Sequence, residues 1–152
     1  MQKIRTFLWF DDNLEEAAKF YVSIFKNSKV GDMMRGPDGK VMGGTFTLEG
    51  QEFMGLNGGP NFHFNEAISL FVDCKDQKEV DELWSKLTAD GGEESQCGWL
   101  KDKFGLSWQI VPSVLPELLG DKDPGRAKRA LDAMLKMSKI DIATLKRAAD
   151  GA

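Results

Sequence analysis

Twice along this chain an apolar run gives way to a helical period. The first run, FLWFDD, ends in acidic residues. After it, Leu14, Ala17, Ala18, Tyr21, Ile24 and Phe25 recur at steps of three and four, which places them on one face of a helix from about Asn13 to Lys26. Asp12 or Asn13 is placed to cap it, and Glu15 and Glu16 suit the positive end of its dipole. The second run, SLFVDC, is followed by Val80, Leu83, Trp84 and Leu87 on a helix from about Gln77 to Ala89. Asp76 with Glu79 three residues on forms a capping box. Asp90-Gly91-Gly92 stops the helix, because glycine accepts left-handed geometry.

Strand-like segments follow each helix. In the first half these are Lys29–Met34, Val41–Leu48 and Glu52–Asn57, separated by turns at Gly36-Pro37-Asp38-Gly39 and near Glu49-Gly50. In the second half the leading strand is Ala67–Cys74, and Glu94–Gly98, Trp99–Phe104 and Ser107–Val111 come after the helix. Both halves therefore read β-α-β-β-β, an internal repeat joined near Gly58-Gly59-Pro60-Asn61. The expected class is α+β, with tandem repeats over about 1–60 and 61–112. Beyond Pro112 the pattern changes. Pro116, Gly120, Pro124 and Gly125 punctuate a connector. Helices are expected from Arg126 to about Met137 and over Asp141–Ala149. The extension 113–152 is too small to fold alone, so it is expected to pack on the body or on a dimer partner.

Composition narrows the chemistry. With 152 residues, 41% of them hydrophobic, the chain can bury a core, and its net charge of −4 offers no basic footprint for nucleic acid or an anionic membrane. No apolar run has the length of a membrane span. Cys74 and Cys97 are expected to be reduced thiols in a cytoplasmic protein, and no signal-peptide pattern opens the sequence. His63 is the single histidine, so any mechanism needing two from one chain is excluded.

FLWFDDNLEEAAKFYVSIFKNSKV, FHFNEAISLFVDCKDQKEVDELWSKL, CGWLKDKFGLSWQIVP and the tail MLKMSKIDIATLKRAADG resemble the PhnB-like proteins. That branch, labelled 3-demethylubiquinone-9 3-methyltransferase-like, lies in the vicinal oxygen chelate superfamily of glyoxalase I, bleomycin-resistance proteins and extradiol dioxygenases. The resemblance implies two curved mixed sheets, each lining a cavity, and a homodimer with sites in or near the interface. It also implies four places, on the first, fourth, fifth and eighth strands, where metal-bearing members hold a divalent ion with His, Glu or Gln. Here those places fall at Thr6 or Arg5, at Gly55 or Asn57, near Ala67, and at Gln109.

One amide and one weak candidate make a poor ligand set, since oxygen sites for divalent ions normally include carboxylates. No catalytic metal or other cofactor is expected. A metal shared with carboxylates such as Glu52 or Asp102 is the alternative. Strand alternation puts Ser69 with Phe71, and Ser107 with Gln109 and Val111, opposite Leu106, Trp108 and Ile110. The expected cavity is lined by Phe7 and Trp9 (or Leu8 and Phe10), Phe53, Asn57, Ser69, Phe71, Trp99 and Gln109, with His63 near its rim. Such a lining suits a small apolar or aromatic molecule. Three other functions stay open: a metal-dependent lyase, isomerase or dioxygenase-like enzyme; the methyltransferase of the family label; and a dimer serving a protein partner. The methyltransferase reading meets an obstacle, because the first strand leads into FDDNLEEAA without the glycine-rich loop of the usual S-adenosylmethionine fold.

Overall fold

A computed structural model describes residues 2–152. The chain divides into two compact units, Met1–Phe64 and Asn65–Ala152. Each contains a four-stranded mixed sheet.

The first unit runs β1 (Thr6–Phe10), α1 (Leu14–Ile24), β2 (Lys29–Arg35), β3 (Val41–Leu48) and β4 (Gln51–Asn57). Its sheet has the order β1-β4-β3-β2, with β1 and β4 parallel and the other pairs antiparallel. Helix α1 buries Leu14, Ala17, Ala18 and Tyr21, the stripe read from the sequence. Leu8, Phe10, Phe46 and Phe53 form the sheet side of this core, with the Phe46 and Phe53 rings stacked at 5.2 Å between centroids. Gly55 lets the helix approach: a Cβ there would lie 2.7 Å from a Leu14 methyl. The opposite sheet face carries the row Trp9, Leu56, Gly43 and Met34, and beside it Phe7, Met54 and Thr45.

The second unit repeats this topology. It contains β5 (Leu70–Cys74), α2 (Gln77–Thr88), β6 (Glu93–Glu94), β7 (Trp99–Lys101) and β8 (Ser107–Pro112). The sheet order is β5-β8-β7-β6, again with one parallel pair, β5 and β8. Asp76 caps α2 by accepting from the Glu79 amide at 2.9 Å, while the Glu79 carboxylate accepts from the Lys75 amide at 2.8 Å. Val80, Leu83, Trp84 and Leu87 are buried, as are Leu100, Leu106, Trp108 and Ile110 of the sheet side.

Four elements differ from the sequence reading. β5 begins at Leu70, because residues 66–67 form a turn. β6 and β7 are two and three residues long, because Cys97 and Gly98, with φ of 59° and 85°, turn the chain between them. The connector after Pro112 contains a helix, α3 (Val114–Leu119). Pro116 sits in its first turn, where a missing N–H costs nothing.

After α3 come α4 (Pro124–Met134) and α5 (Ile142–Ala149), capped by Asp123 and Asp141. Val111, Leu115, Ile140 and Leu145 form one buried cluster, with Leu118, Leu119, Met134 and Met137 packed around it. Polar contacts fix the extension to the sheet's own unit. Gln77 of α2 donates to the Ile140 carbonyl and accepts from the Ile142 amide, at 2.9 and 2.8 Å. The amides of Cys97 and Gly98 donate to the carbonyls of Met137 and Ser138.

Candidate functional site

Register decides which predicted residues share a face. In the second unit Phe71, Gln109 and Trp99 stand opposite one another across β5, β8 and β7. Lys101 and Ser107 form the adjacent pair. The side chain of Gln109 donates to the Ser69 hydroxyl at 2.8 Å. Four residues chosen from the sequence, Ser69, Phe71, Trp99 and Gln109, thus lie together on the sheet face away from α2. Phe71 is 56% exposed, so this face presents an aromatic ring to solvent beside a fixed amide. Trp108 points the other way and is buried, its indole N–H donating to Asp102 at 2.9 Å.

In the first unit the predicted set is split. Phe7 and Trp9 lie on the open face of the sheet, and Phe7 is 53% exposed. Trp9 donates its indole N–H to the Gly59 carbonyl at 2.9 Å and meets the edge of Phe62 at 4.9 Å. Phe53 pairs with Thr6, and Asn57 with Phe10, so both belong to the helix-covered face. Phe53 is only 5% exposed and stacks in the core. Asn57 is a structural group: its Oδ1 accepts from the Leu14 amide at 2.9 Å and its Nδ2 donates to the Val41 carbonyl at 3.0 Å. These two residues therefore point away from the face that bears Phe7 and Trp9, and their place in the expected lining is corrected. The alternatives Leu8 and Phe10 are core residues as well. His63 is exposed in the segment after β4.

The donor groups do not assemble a metal centre. Among the described residues, no three His, Cys, Asp or Glu side chains come close enough to hold an ion. Glu52 is paired with Arg5 at 3.0 Å. Asp102 is buried and accepts from the Phe104 and Leu106 amides as well as from Trp108. At the four places implied for a ligand set, Gln109 is the one side-chain donor on an open face. A divalent ion held by one neutral amide would lack the charge that offsets its dehydration, so these residues do not fit such a centre.

A cavity of about 200 Å³ adjoins the same face of the second unit, bordered by Glu66, Glu93, Glu94, Ser95, Trp99, Leu100, Lys101 and Ser107. Lys101 forms an ion pair with Glu66. This hydrogen-bonded pairing lowers the Glu66 pKa and raises that of Lys101. Glu94 accepts from the indole of Trp84 and so turns toward α2. Ser107 is 1% exposed, and its hydroxyl has no hydrogen-bond partner. Leaving a buried hydroxyl unpaired costs about 1–3 kcal/mol. The sequence places Ser107 on the Gln109 face but carries no signal for that unpaired hydroxyl.

The two thiols differ in setting. Cys74 is fully buried, and its pKa is pushed up to about 12, first by burial and then by the Glu79 and Asp73 carboxylates. Cys97 is half-buried. Native protein at pH 8 is expected to react with one equivalent of a disulfide reagent, at Cys97, and with two after denaturation. Rapid native reaction of both thiols would contradict this. The sign for stability is also fixed. A neutral buried thiol supports folding fully below the usual value of 9.0, and that support is lost as pH rises toward 12.

The family described as 3-demethylubiquinone-9 3-methyltransferase matches residues 2–111. A PhnB protein from Bacillus cereus is 38% identical over 74% of this chain and 100% of its own, with a TM-score of 0.69. A protein from Pseudomonas aeruginosa is 16% identical, with a TM-score of 0.61 over 74% of this chain and 98% of its own. The fosfomycin resistance protein FosX from Listeria monocytogenes, solved with Mn(II) and sulfate, is 17% identical, with a TM-score of 0.51 over 71% of this chain and 89% of its own. These last two likenesses concern the fold alone. No curated protein matches the chain. The repeated mixed sheets, the match over residues 2–111 and the 38% identity across a whole PhnB chain make this protein a member of the PhnB-like 3-demethylubiquinone-9 3-methyltransferase family.

Proposed function

We propose that the protein binds a small aromatic or otherwise apolar molecule on the open face of its second sheet, as a homodimer and without a catalytic metal. The observation that carries this reading is the row Phe71, Gln109 and Trp99, with Ser69 fixing the amide. An exposed ring, an indole and a positioned polar group are the ingredients of a small-molecule site. The glyoxalase-like part is taken as residues 1–112 and the helical extension as 113–152. Reading the protein as non-metallic rests on the donor set described above. Exposed Phe7, Met34 and Met42 on the first unit supply apolar surface for self-association. No helix among the described residues is long and apolar enough to cross a membrane, and a cytoplasmic setting would keep both thiols reduced.

Binding is preferred to the methyl transfer named in the family's description. Helices α1 and α2 open after FDDN and DCKD, so neither begins with glycines that would let a nucleoside cofactor approach the backbone. The test is a saturation-transfer NMR screen of small aromatic compounds. Binders are expected to lose at least about tenfold in affinity, or roughly 1.4 kcal/mol, in both Phe71→Ala and Gln109→Ala. Binders indifferent to both substitutions, or no binders at all, would overturn the site.

A further inference from the structure

The sequence contains a single Asn-Gly step, Asn57-Gly58, and each residue is required there for its own reason. Asn57 caps α1 from the end of β4 and ties that end to β3. Gly58 makes room for Trp9: a Cβ there would lie 2.3 and 2.5 Å from two atoms of the indole ring and 2.6 Å from a Leu56 methyl. Two unrelated packing demands thus set an asparagine amide before a peptide nitrogen that no side chain shields. We propose that Asn57-Gly58 is a deamidation site that the fold keeps closed and that unfolding opens, so that the chain carries a built-in limit on how long it survives unfolded. In the reaction hydroxide takes the Gly58 amide proton, and the nitrogen attacks Asn57 Cγ. The new N–Cγ bond closes a five-membered imide, the Cγ–Nδ2 bond breaks, and Nδ2 takes a proton from water and leaves as ammonia. Water then opens the imide at either carbonyl, giving aspartate or isoaspartate at position 57. Nothing is oxidised or reduced.

Three hydrogen bonds hold the reacting groups apart. The Gly58 N–H donates to the Phe10 carbonyl at 2.9 Å, so removing its proton breaks a sheet bond. Nδ2, the leaving group, donates to the Val41 carbonyl at 3.0 Å, and Oδ1 accepts from the Leu14 amide at 2.9 Å. The Leu14 bond by itself would polarise Cγ and assist attack. Geometry decides against it. Both ends of the amide are pinned, and Asn57 ends a strand, whose extended backbone keeps the next nitrogen from swinging onto Cγ. Opening the end of β4 releases all three bonds together. The products do not restore them. Aspartate keeps the acceptor for Leu14 but loses the donor to Val41. Isoaspartate routes the main chain through the former side chain, which adds a methylene where Gly58 must reach Phe10.

The full chain would be kept in one mildly alkaline buffer, folded and unfolded in guanidinium chloride, and digested at intervals. Peptide mass spectrometry follows Asn57, with the isoaspartate form separated by chromatography. Deamidation is expected to run at least about thirtyfold slower in the folded chain than in the unfolded one. Gly58→Ala should slow the reaction at least about fivefold, because its methyl shields the nitrogen. That variant is compared in the unfolded state, where its clash with Trp9 has no effect. After the denaturant is removed, the share of chains that fail to recover slow hydrogen exchange at the Leu14 amide should rise in step with the isoaspartate share. A smaller ratio in either rate comparison, or an isoaspartate chain that regains native protection at Leu14, overturns the proposal.

Discussion

Asp102→Ala is expected to destabilise the protein by about 3–5 kcal/mol, measured by denaturant unfolding. Asp102 is 2% exposed and directly follows the short strand β7. Its Oδ1 accepts from the Phe104 and Leu106 amides at 2.9 and 3.1 Å, and its Oδ2 accepts from the Trp108 indole at 2.9 Å. One carboxylate therefore shapes the β7–β8 turn and holds the largest fully buried side chain of the sheet. Alanine leaves three donors without their acceptor in a place where water is largely excluded. Asp102→Asn should cost about half as much. Its amide oxygen can still serve both backbone donors, but its NH2 then faces the indole N–H. The conflict vanishes when the indole is removed. Asp102→Asn should thus cost at least about 1 kcal/mol less in a Trp108→Phe background than in the native one. A cost for Asp102→Ala below about 1 kcal/mol would show that the carboxylate does not organise this turn.

That carboxylate also shows where sequence reasoning reaches and stops. Asp102 entered as a remote candidate for metal binding, because its type suggests chemistry and its burial cannot be read from type. Local signals served well. Asp76 and Glu79 are three residues apart, and the cap they imply is present, with Glu79 reaching back to the Lys75 amide one residue before the N-cap. In the second unit, alternation along β8 put Gln109 opposite buried Trp108, and both lie as expected. In the first unit alternation failed, since β1 and β4 are apolar on both faces. Phe7, Trp9, Met54 and Leu56 lie on one face, and Leu8, Phe10 and Phe53 on the other. A pattern apolar at every position does not fix parity, and a one-residue slip exchanges the faces. Phe53 and Asn57 were assigned across that slip. The turn at Cys97 was hidden for a different reason, since a left-handed cysteine leaves no mark in composition.

Asn57→Ala is expected to cost about 2 kcal/mol, roughly 1 for a helix cap and 1 for a second hydrogen bond. Helix α1 has no cap from its own sequence: Asn13 stands at the N-cap with φ −123° and ψ 28°, and its side chain makes no capping bond. The acceptor comes instead from the end of β4, where Asn57 Oδ1 takes the Leu14 amide. Its Nδ2 meanwhile ties β4 to the Val41 carbonyl at the start of β3. Asn57 thus joins helix and sheet, and both ends of its amide are occupied. Asp at this position would keep the acceptor and place a negative charge at the positive end of the helix dipole. It would also set a carboxylate oxygen against the Val41 carbonyl, so Asn57→Asp should fall between native and alanine. A local readout separates the cap from any ligand role. Hydrogen exchange at the Leu14 amide should quicken at least tenfold more than exchange across α2, which keeps its Asp76 cap. Unchanged exchange at Leu14 with reduced affinity for an aromatic probe would return Asn57 to the binding site. The expected result leaves the open face of the first sheet to Phe7, Trp9 and their neighbours.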